Sequence, residues 1–241
     1  MHEPADATRF ILQGTSHPGN VGAAARAMKV MGFSDLVLVA PRDAGIASHP
    51  QARAMASGAT DILDKVRVVA TLAQALDGVS WLGATAMTPR DFGPPTHAPR
   101  ELFPALAASG ERVAFLFGPE RVGLGNDDVY RCHAALSIPT DPAYGSLNLA
   151  QAVQIIAYDW RQAQGGFGLR ARSVEPTLAS AAQVQGALDH WRQALLAIGF
   201  LDPEAPRKLM PRLNQLANRA RLTTEEVNIL RGIARAIAER G

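Results

Sequence analysis

Apolar positions in the first two thirds of the chain come in short runs, each broken by glycine or proline. Arg9-Phe10-Ile11-Leu12, Leu36–Val39, Val66–Val69, Trp81–Ala84, Phe115–Phe117 and Ala135–Ile138 have the length and composition of buried strands. Between them the spacing becomes helical. Gly19-Asn20 begins a helix that presents Val21, Ala24, Ala25, Met28 and Met31, and Gly32 ends it. Helices are also expected around Ala52–Ala56 and Leu72–Leu76, and a short polar one before the 135–138 run. Ser146-Leu147-Asn148 opens another. Such alternation predicts an α/β domain with a largely parallel sheet covered by helices on both faces.

The pattern changes after residue 162. Residues 163–176 hold Gly165, Gly166, Gly168 and Pro176 with few apolar groups, which reads as a linker between a 1–162 domain and a 177–241 helical extension. In the extension Val184, Leu188, Trp191, Leu195 and Ile198 form one stripe. Thr223 and Glu226 form a capping-box signature ahead of Val227, Leu230, Ile233 and Ile237.

Composition narrows the class. Of 241 residues, 47% are hydrophobic and 19% charged, which suits a globular protein with a substantial core. No apolar run reaches the ~18 residues a membrane span needs, and the first residues lack the features of a signal peptide. The single cysteine, Cys132, excludes an internal disulfide, fits a reducing cytoplasm, and is expected as a small buried hydrophobe. The six histidines show no metal-ligand spacing, so no metal site is expected. The net charge of +2 hides an asymmetry. Residues 1–160 carry 12 Lys/Arg against 15 Asp/Glu, whereas residues 161–241 carry 12 against 7. Arg207, Lys208, Arg212, Arg219 and Arg221 fall in one stretch with no acid between them. Such a patch is either the footprint of a polyanion or a solvated helix face.

The richest chemistry lies between Gly118 and Asn148. Two glycine-bearing loops each follow a strand-like run, where α/β sheets usually bind ligands. Leu124 stands where a P-loop would need its lysine, and no Gly-x-Gly-x-x-Gly signature is present. Three blocks line up: Asn20-Val21-Gly22-Ala23-Ala24-Ala25-Arg26-Ala27-Met28; Phe117-Gly118-Pro119-Glu120-Arg121-Val122-Gly123-Leu124; and Ile138-Pro139 to Gly145-Ser146-Leu147-Asn148-Leu149-Ala150. In this order and spacing they resemble the SpoU branch of the SPOUT RNA methyltransferases. Within it they resemble the TrmJ-type tRNA 2′-O-methyltransferases, as do Leu195–Phe200 and Asn228–Ile233 in the tail. Gly145 departs from the second serine that some TrmJ-like proteins carry before Ser146.

The resemblance implies more than the pattern does. It implies an α/β sheet whose C-terminal part is threaded into a trefoil knot, a homodimer, and S-adenosylmethionine as cofactor. The cofactor would touch Ala84, Thr85, Ala86, Gly118, Ile138, Gly145, Ser146 and Leu147. Glycines let backbone groups approach a ligand, and Ile138 with Leu147 can sandwich an adenine. Arg26 would sit at the reacting ribose, stabilising a developing alkoxide and holding the adjacent phosphate, because a guanidinium offers donors only. Asn20 either caps its helix or reaches the substrate. Glu120 either orients Arg26 or bonds donors in its loop. Ser146 and Asn148 would position substrate and cofactor, with Ser146 a good N-cap, and Tyr144 either stacks on a base or packs. The implied substrate is tRNA at the anticodon-loop nucleotide conventionally numbered 32, a cytidine or uridine, with Arg207–Arg221 on phosphates. The alternatives are ribosomal RNA, another tRNA site, or an RNA-binding module without catalysis.

Overall fold

The computed structural model describes residues 6–86, 88–168 and 176–239. The chain divides into two compact units, residues 1–168 and 169–241. Half of the expected linker, residues 169–175, lies outside the described residues.

In the first unit the chain runs β1 (Asp6–Gln13), α1 (Pro18–Val30), β2 (Phe33–Val39), α2 (Pro50–Ala56), α3 (Thr60–Asp64), β3 (Arg67–Val69), α4 (Leu72–Ala75) and β4 (Trp81–Thr85). It continues through β5 (Thr96–His97), α5 (Pro99–Ala107), β6 (Val113–Phe117), α6 (Asn126–Val129), β7 (Ala134–Leu136) and α7 (Leu149–Ala163). The described strands form a seven-stranded sheet in the order β3-β2-β1-β6-β4-β7-β5. Every pairing is parallel.

Side chains of β1 and β6 alternate between two buried faces, as the period of two requires. Phe10, Leu12, Phe115 and Phe117 point to the layer with α1, α5 and α7. Ile11 and Leu116 point to the layer with α4 and α6. The first layer is aromatic at its centre, where Trp160 of α7 meets Phe103 and Phe115 edge-on at 5.4 and 5.7 Å. Its indole also donates to Thr8 Oγ1 at 2.8 Å. Arg161 lies over the Phe33 ring at 4.4 Å.

The expected strands and helices are found, with adjusted ends. The first helix starts at Pro18, two residues ahead of Asn20, and its N-cap His17 makes no side-chain cap bond. Its last turn closes with Gly32 at φ +78°, as expected of a helix-ending glycine. The last helix of the unit is capped by Asn148, not Ser146. Asn148 Oδ1 accepts from Ala150 N, and the Gln151 side chain reciprocates. Strand β7 stops at Leu136, short of Ile138. Cys132 is buried, and burial together with nearby Asp128 pushes its thiol up to about 12, so it behaves as an apolar group.

The second unit holds α8 (Ala181–Ala197), α9 (Leu209–Ala220) and α10 (Thr224–Ala238), with α8 packed on both others. Ser180–Gln183 and Thr223–Glu226 form capping boxes. Trp191 Nε1 donates to Leu230 O at 3.0 Å. The buried face is narrower than the apolar stripes suggest. Leu188, Leu195, Val227 and Ala234 are buried, whereas Ile198 and Ile233 are exposed.

Candidate active site

Three strand ends meet at the carboxyl edge of the sheet. β4 delivers Thr85 and Ala86, with Thr85 Oγ1 donating to Leu116 O at 2.9 Å and Ala86 N to Leu136 O at 3.1 Å. β6 delivers Gly118, where the chain folds back on itself. A Cβ at Gly118 would lie 2.4 Å from Leu124 N and 2.5 Å from Gly123 C, so no larger residue fits this loop. β7 delivers Ile138 and then the loop to Leu147, where α7 begins.

These segments surround a cavity of about 330 Å³, within the range of small-ligand sites. Of the eight residues expected at the cofactor, Thr85, Ala86, Gly118, Ile138, Gly145, Ser146 and Leu147 line it. Ala84 does not. It is fully buried inside β4, paired with Leu116 and Ala135 beneath the floor. The walls combine apolar Ile138 and Leu147 with glycine-bearing loops and uncharged Ser146. A lining of this mixed apolar and polar kind can admit a nucleoside-sized ligand.

Glu120 lies at the cavity edge and gathers the polar groups around it. Its Oε1 accepts from Thr15 Oγ1 (2.8 Å), Asn20 Nδ2 (3.1 Å) and His17 N (3.3 Å). Its Oε2 accepts from Ser16 N (3.2 Å) and Ser16 Oγ (3.3 Å). Burial alone would raise its proton affinity. The donors, led by the Asn20 amide, outweigh burial and hold the carboxyl at about 2 against an ordinary 4.5. Asn148 Nδ2 in turn donates to Asn20 Oδ1 at 3.0 Å. A continuous chain thus runs from the cap of α7, through the first turn of α1, to the loop after β6.

This arrangement corrects two expectations. Asn20 is not a helix cap: it lies inside α1 and uses its side chain as the hinge between Glu120 and Asn148. Among the described residues the side-chain and backbone donors to Glu120 come from residues 15–20, and Arg26 is not one of them. Arg26 is exposed on α1, outside the cavity lining, and its side chain has no partner among the described residues. Thr15 and Ser16 were not legible as site residues, since Thr15 meets Glu120 across 105 positions. Arg90 and Arg121 also line the cavity. In the second unit Arg207, Lys208, Arg212, Arg219 and Arg221 are all exposed, and none is paired with a carboxylate among the described residues. Among those residues no group of His, Cys, Asp and Glu could hold a metal ion, and no helix is long and apolar enough to cross a membrane.

Comparison with known proteins agrees with this geometry. The family model of the SpoU rRNA Methylase family matches residues 7–158. That of the tRNA methyltransferase TrmJ, C-terminal domain, matches residues 182–241. The tRNA (cytidine/uridine/adenosine-2′-O-)-methyltransferase TrmJ of Pseudomonas aeruginosa (strain UCBPP-PA14) is 46% identical over 242 residues, covering 95% of this chain and 92% of that protein. The crystal structure of TrmJ from Z. mobilis ZM4 superposes with a TM-score of 0.82 at 31% identity, covering 96% of this chain and 99% of that one. The AdoMet-bound rRNA methyltransferase from Sinorhizobium meliloti, 22% identical over 67% of this chain and 58% of that one, shares the fold with a TM-score of 0.52. The chain belongs to the SpoU methylase family, in its TrmJ-type branch.

Proposed function

We propose that this protein methylates the ribose 2′-hydroxyl of a tRNA, using S-adenosylmethionine, at anticodon-loop nucleotide 32. The observation that carries this reading is the junction of two features. A glycine-backed cavity adjoins the Glu120–Asn20–Asn148 chain of side chains at the carboxyl edge of the sheet. The P. aeruginosa relative named above acts on tRNA 2′-oxygens, and this chain is similar to it over nearly its whole length.

Thr85, Ala86, Gly118, Ile138, Gly145, Ser146 and Leu147 would hold the cofactor, within the knotted threading that the family fold implies. When bound, that group supplies a methyl on a sulfonium, which needs little activation. The protein's task is then to place a 2′-oxygen in line and stabilise its developing charge. Glu120 fixes the Asn20 amide, and Asn20 with Asn148 presents oriented polar groups beside the cavity. Arg26 supplies a guanidinium to the ribose oxygen and the neighbouring phosphate. Its position outside the cavity is consistent with a homodimer in which one copy's Arg26 serves the other copy's cavity. The unpaired cations Arg207, Lys208, Arg212, Arg219 and Arg221 serve as phosphate contacts, which add affinity without reading sequence.

The test is transfer of label from methyl-labelled S-adenosylmethionine to an unmodified tRNA transcript, with the modified nucleotide located by mass spectrometry. Label on the nucleotide 32 ribose is the expected result. Label elsewhere, or none, overturns the assignment.

A further inference from the structure

The loop Thr88–Pro95 follows β4 and contributes Thr88 and Arg90 to the cavity wall. Its tip is a tight turn in which Gly93 N donates to Arg90 O at 2.9 Å. Phe92 occupies the third position of that turn at φ +60°. That position normally takes glycine or asparagine, and a bulky residue there is an outlier. The phenyl ring is 99% exposed, so the fold gives nothing back for the strained backbone. Strain of this kind, found beside a binding cavity, points to a role in binding.

The turn is also held in place. Tyr130 Oη donates to Asp91 O at 2.9 Å. Pro89, Pro94 and Pro95 flank the tip, and Ala135 N of β7 donates to Pro95 O at 2.9 Å. The ring is therefore presented on a braced support, two residues from a cavity-lining cation. Phe92 itself does not line the cavity, so the cofactor is not its partner. Its sequence neighbours Asp91 and Gly93 are not apolar, and Tyr130, itself exposed, is tied by its hydroxyl to Asp91 O. One planar ring suffices for a nucleobase. Arg90 and Arg121 line the cavity, and neither is paired with a carboxylate among the described residues. An exposed aromatic two residues from such a cation, Arg90, is the combination that holds single-stranded nucleic acid.

We infer that Phe92 is a stacking platform for an unpaired base of the RNA substrate, next to the nucleotide being methylated. The inference rests on the proposed reaction and adds a positioning residue to it. The experiment measures affinity of the full chain for a fluorescein-labelled, unmodified tRNA transcript by anisotropy, for wild type, Phe92→Ala, Phe92→Trp and Phe92→Gly. Phe92→Ala is expected to weaken tRNA binding roughly 5- to 150-fold, the equivalent of about 1–3 kcal/mol for one lost stack. Phe92→Trp should restore it, and calorimetric affinity for S-adenosylmethionine should be unchanged in all. Phe92→Gly should melt no lower than wild type, since glycine relaxes the turn, while still losing tRNA affinity. That separates loss of a stack from loss of fold. Phe92→Ala binding tRNA within about twofold of wild type overturns the inference and leaves the proposed reaction standing. So does a Phe92→Ala protein that loses cofactor affinity, or whose sedimentation shows that the ring joins two copies. A wild-type protein that neither binds nor methylates tRNA removes the proposed reaction, and this inference with it.

Discussion

Replacing Glu120 with glutamine tests the centre of the candidate site. The substitution keeps shape but turns one acceptor oxygen into an amide donor. In the native arrangement five donors converge on the two carboxylate oxygens. A glutamine side chain there would have to leave either the Ser16 pair or the Thr15, His17 and Asn20 trio facing an NH2 group. The magnitude follows from the proton affinity. A carboxyl held at about 2 instead of 4.5 corresponds to roughly 3 kcal/mol at full weight. Glu120 is half-buried, and solvent screening brings the expected contribution to about 1–2 kcal/mol. The sign is fixed by the direction of the shift. The folded value lies below the unfolded one, so the stabilisation is complete above about pH 4.5 and is lost as pH falls through about 2. Denaturant unfolding of wild type and Glu120→Gln, from pH 7 down to pH 3, should show a gap that is widest near neutrality and narrows on acidification. Carboxyl resonances followed by NMR should show Glu120 titrating last among the glutamates. A gap that stays constant with pH, or a Glu120 resonance titrating near 4.5, would refute the network as described.

Three further outcomes are expected. Arg26→Ala should abolish methyl transfer to tRNA while leaving calorimetric affinity for S-adenosylmethionine within about twofold, because Arg26 lies outside the cavity lining; retained turnover would rule out its assignment. Gly118→Ala should lower cofactor affinity at least tenfold, roughly 1.4 kcal/mol, and reduce thermal stability, since the new Cβ would meet backbone atoms of Gly123 and Leu124 at 2.4–2.5 Å. Trp160→Phe should cost about 2–4 kcal/mol in denaturant unfolding, from the lost bond to Thr8 and the gap left against Phe103 and Phe115; a cost below about 1 kcal/mol would show that α7 is not anchored there.

The sheet was legible because its strands are short apolar runs buried on both faces, and breaks such as Gly118 directly after β6 mark where they end. Element ends were less legible. Asn20 looks like a cap because asparagine favours that position, but the helix begins at Pro18, and Asn20 Oδ1, the atom a cap would use, accepts from Asn148 Nδ2. Ser146 loses the cap to Asn148, whose side chain also reaches Asn20. The segment 96–107 carried no expectation, since β5 is only Thr96–His97 and Pro104 sits inside α5. Seven of the residues expected at the cofactor from the family resemblance line one cavity, Thr85 and Ala86 from outside the three motif blocks. Ala84 does not line it, because the side chains of a strand point alternately to either face and its own points into the core. The partners of Glu120 were invisible for a different reason. Local pattern reports on neighbours in sequence, and Thr15 and Glu120 become neighbours only when β1 and β6 pair side by side in the sheet.

The same network decides what Glu120 does in the proposed reaction. A carboxylate has about four lone-pair sites, and here five donors already converge on its two oxygens. A 2′-hydroxyl approaching Glu120 would therefore find no free acceptor. The carboxyl is also a weak proton acceptor, at about 2, far from the near-neutral value that general-base catalysis favours. Both points assign Glu120 to positioning. It holds Asn20, and through Asn20 it holds Asn148 at the start of α7, so the cavity edge keeps its shape when a substrate arrives. Arg26 cannot accept the proton either, since a guanidinium has no acceptor and stays charged. The proton is then left to solvent or to the RNA, released late, as the sulfonium leaving group permits. This makes a distinct demand on the pH profile. Turnover should show no inflection near pH 4–7 attributable to Glu120, and Glu120→Gln should lower the rate without moving the profile. A Glu120→Gln profile displaced along the pH axis would return the carboxylate to the role of base.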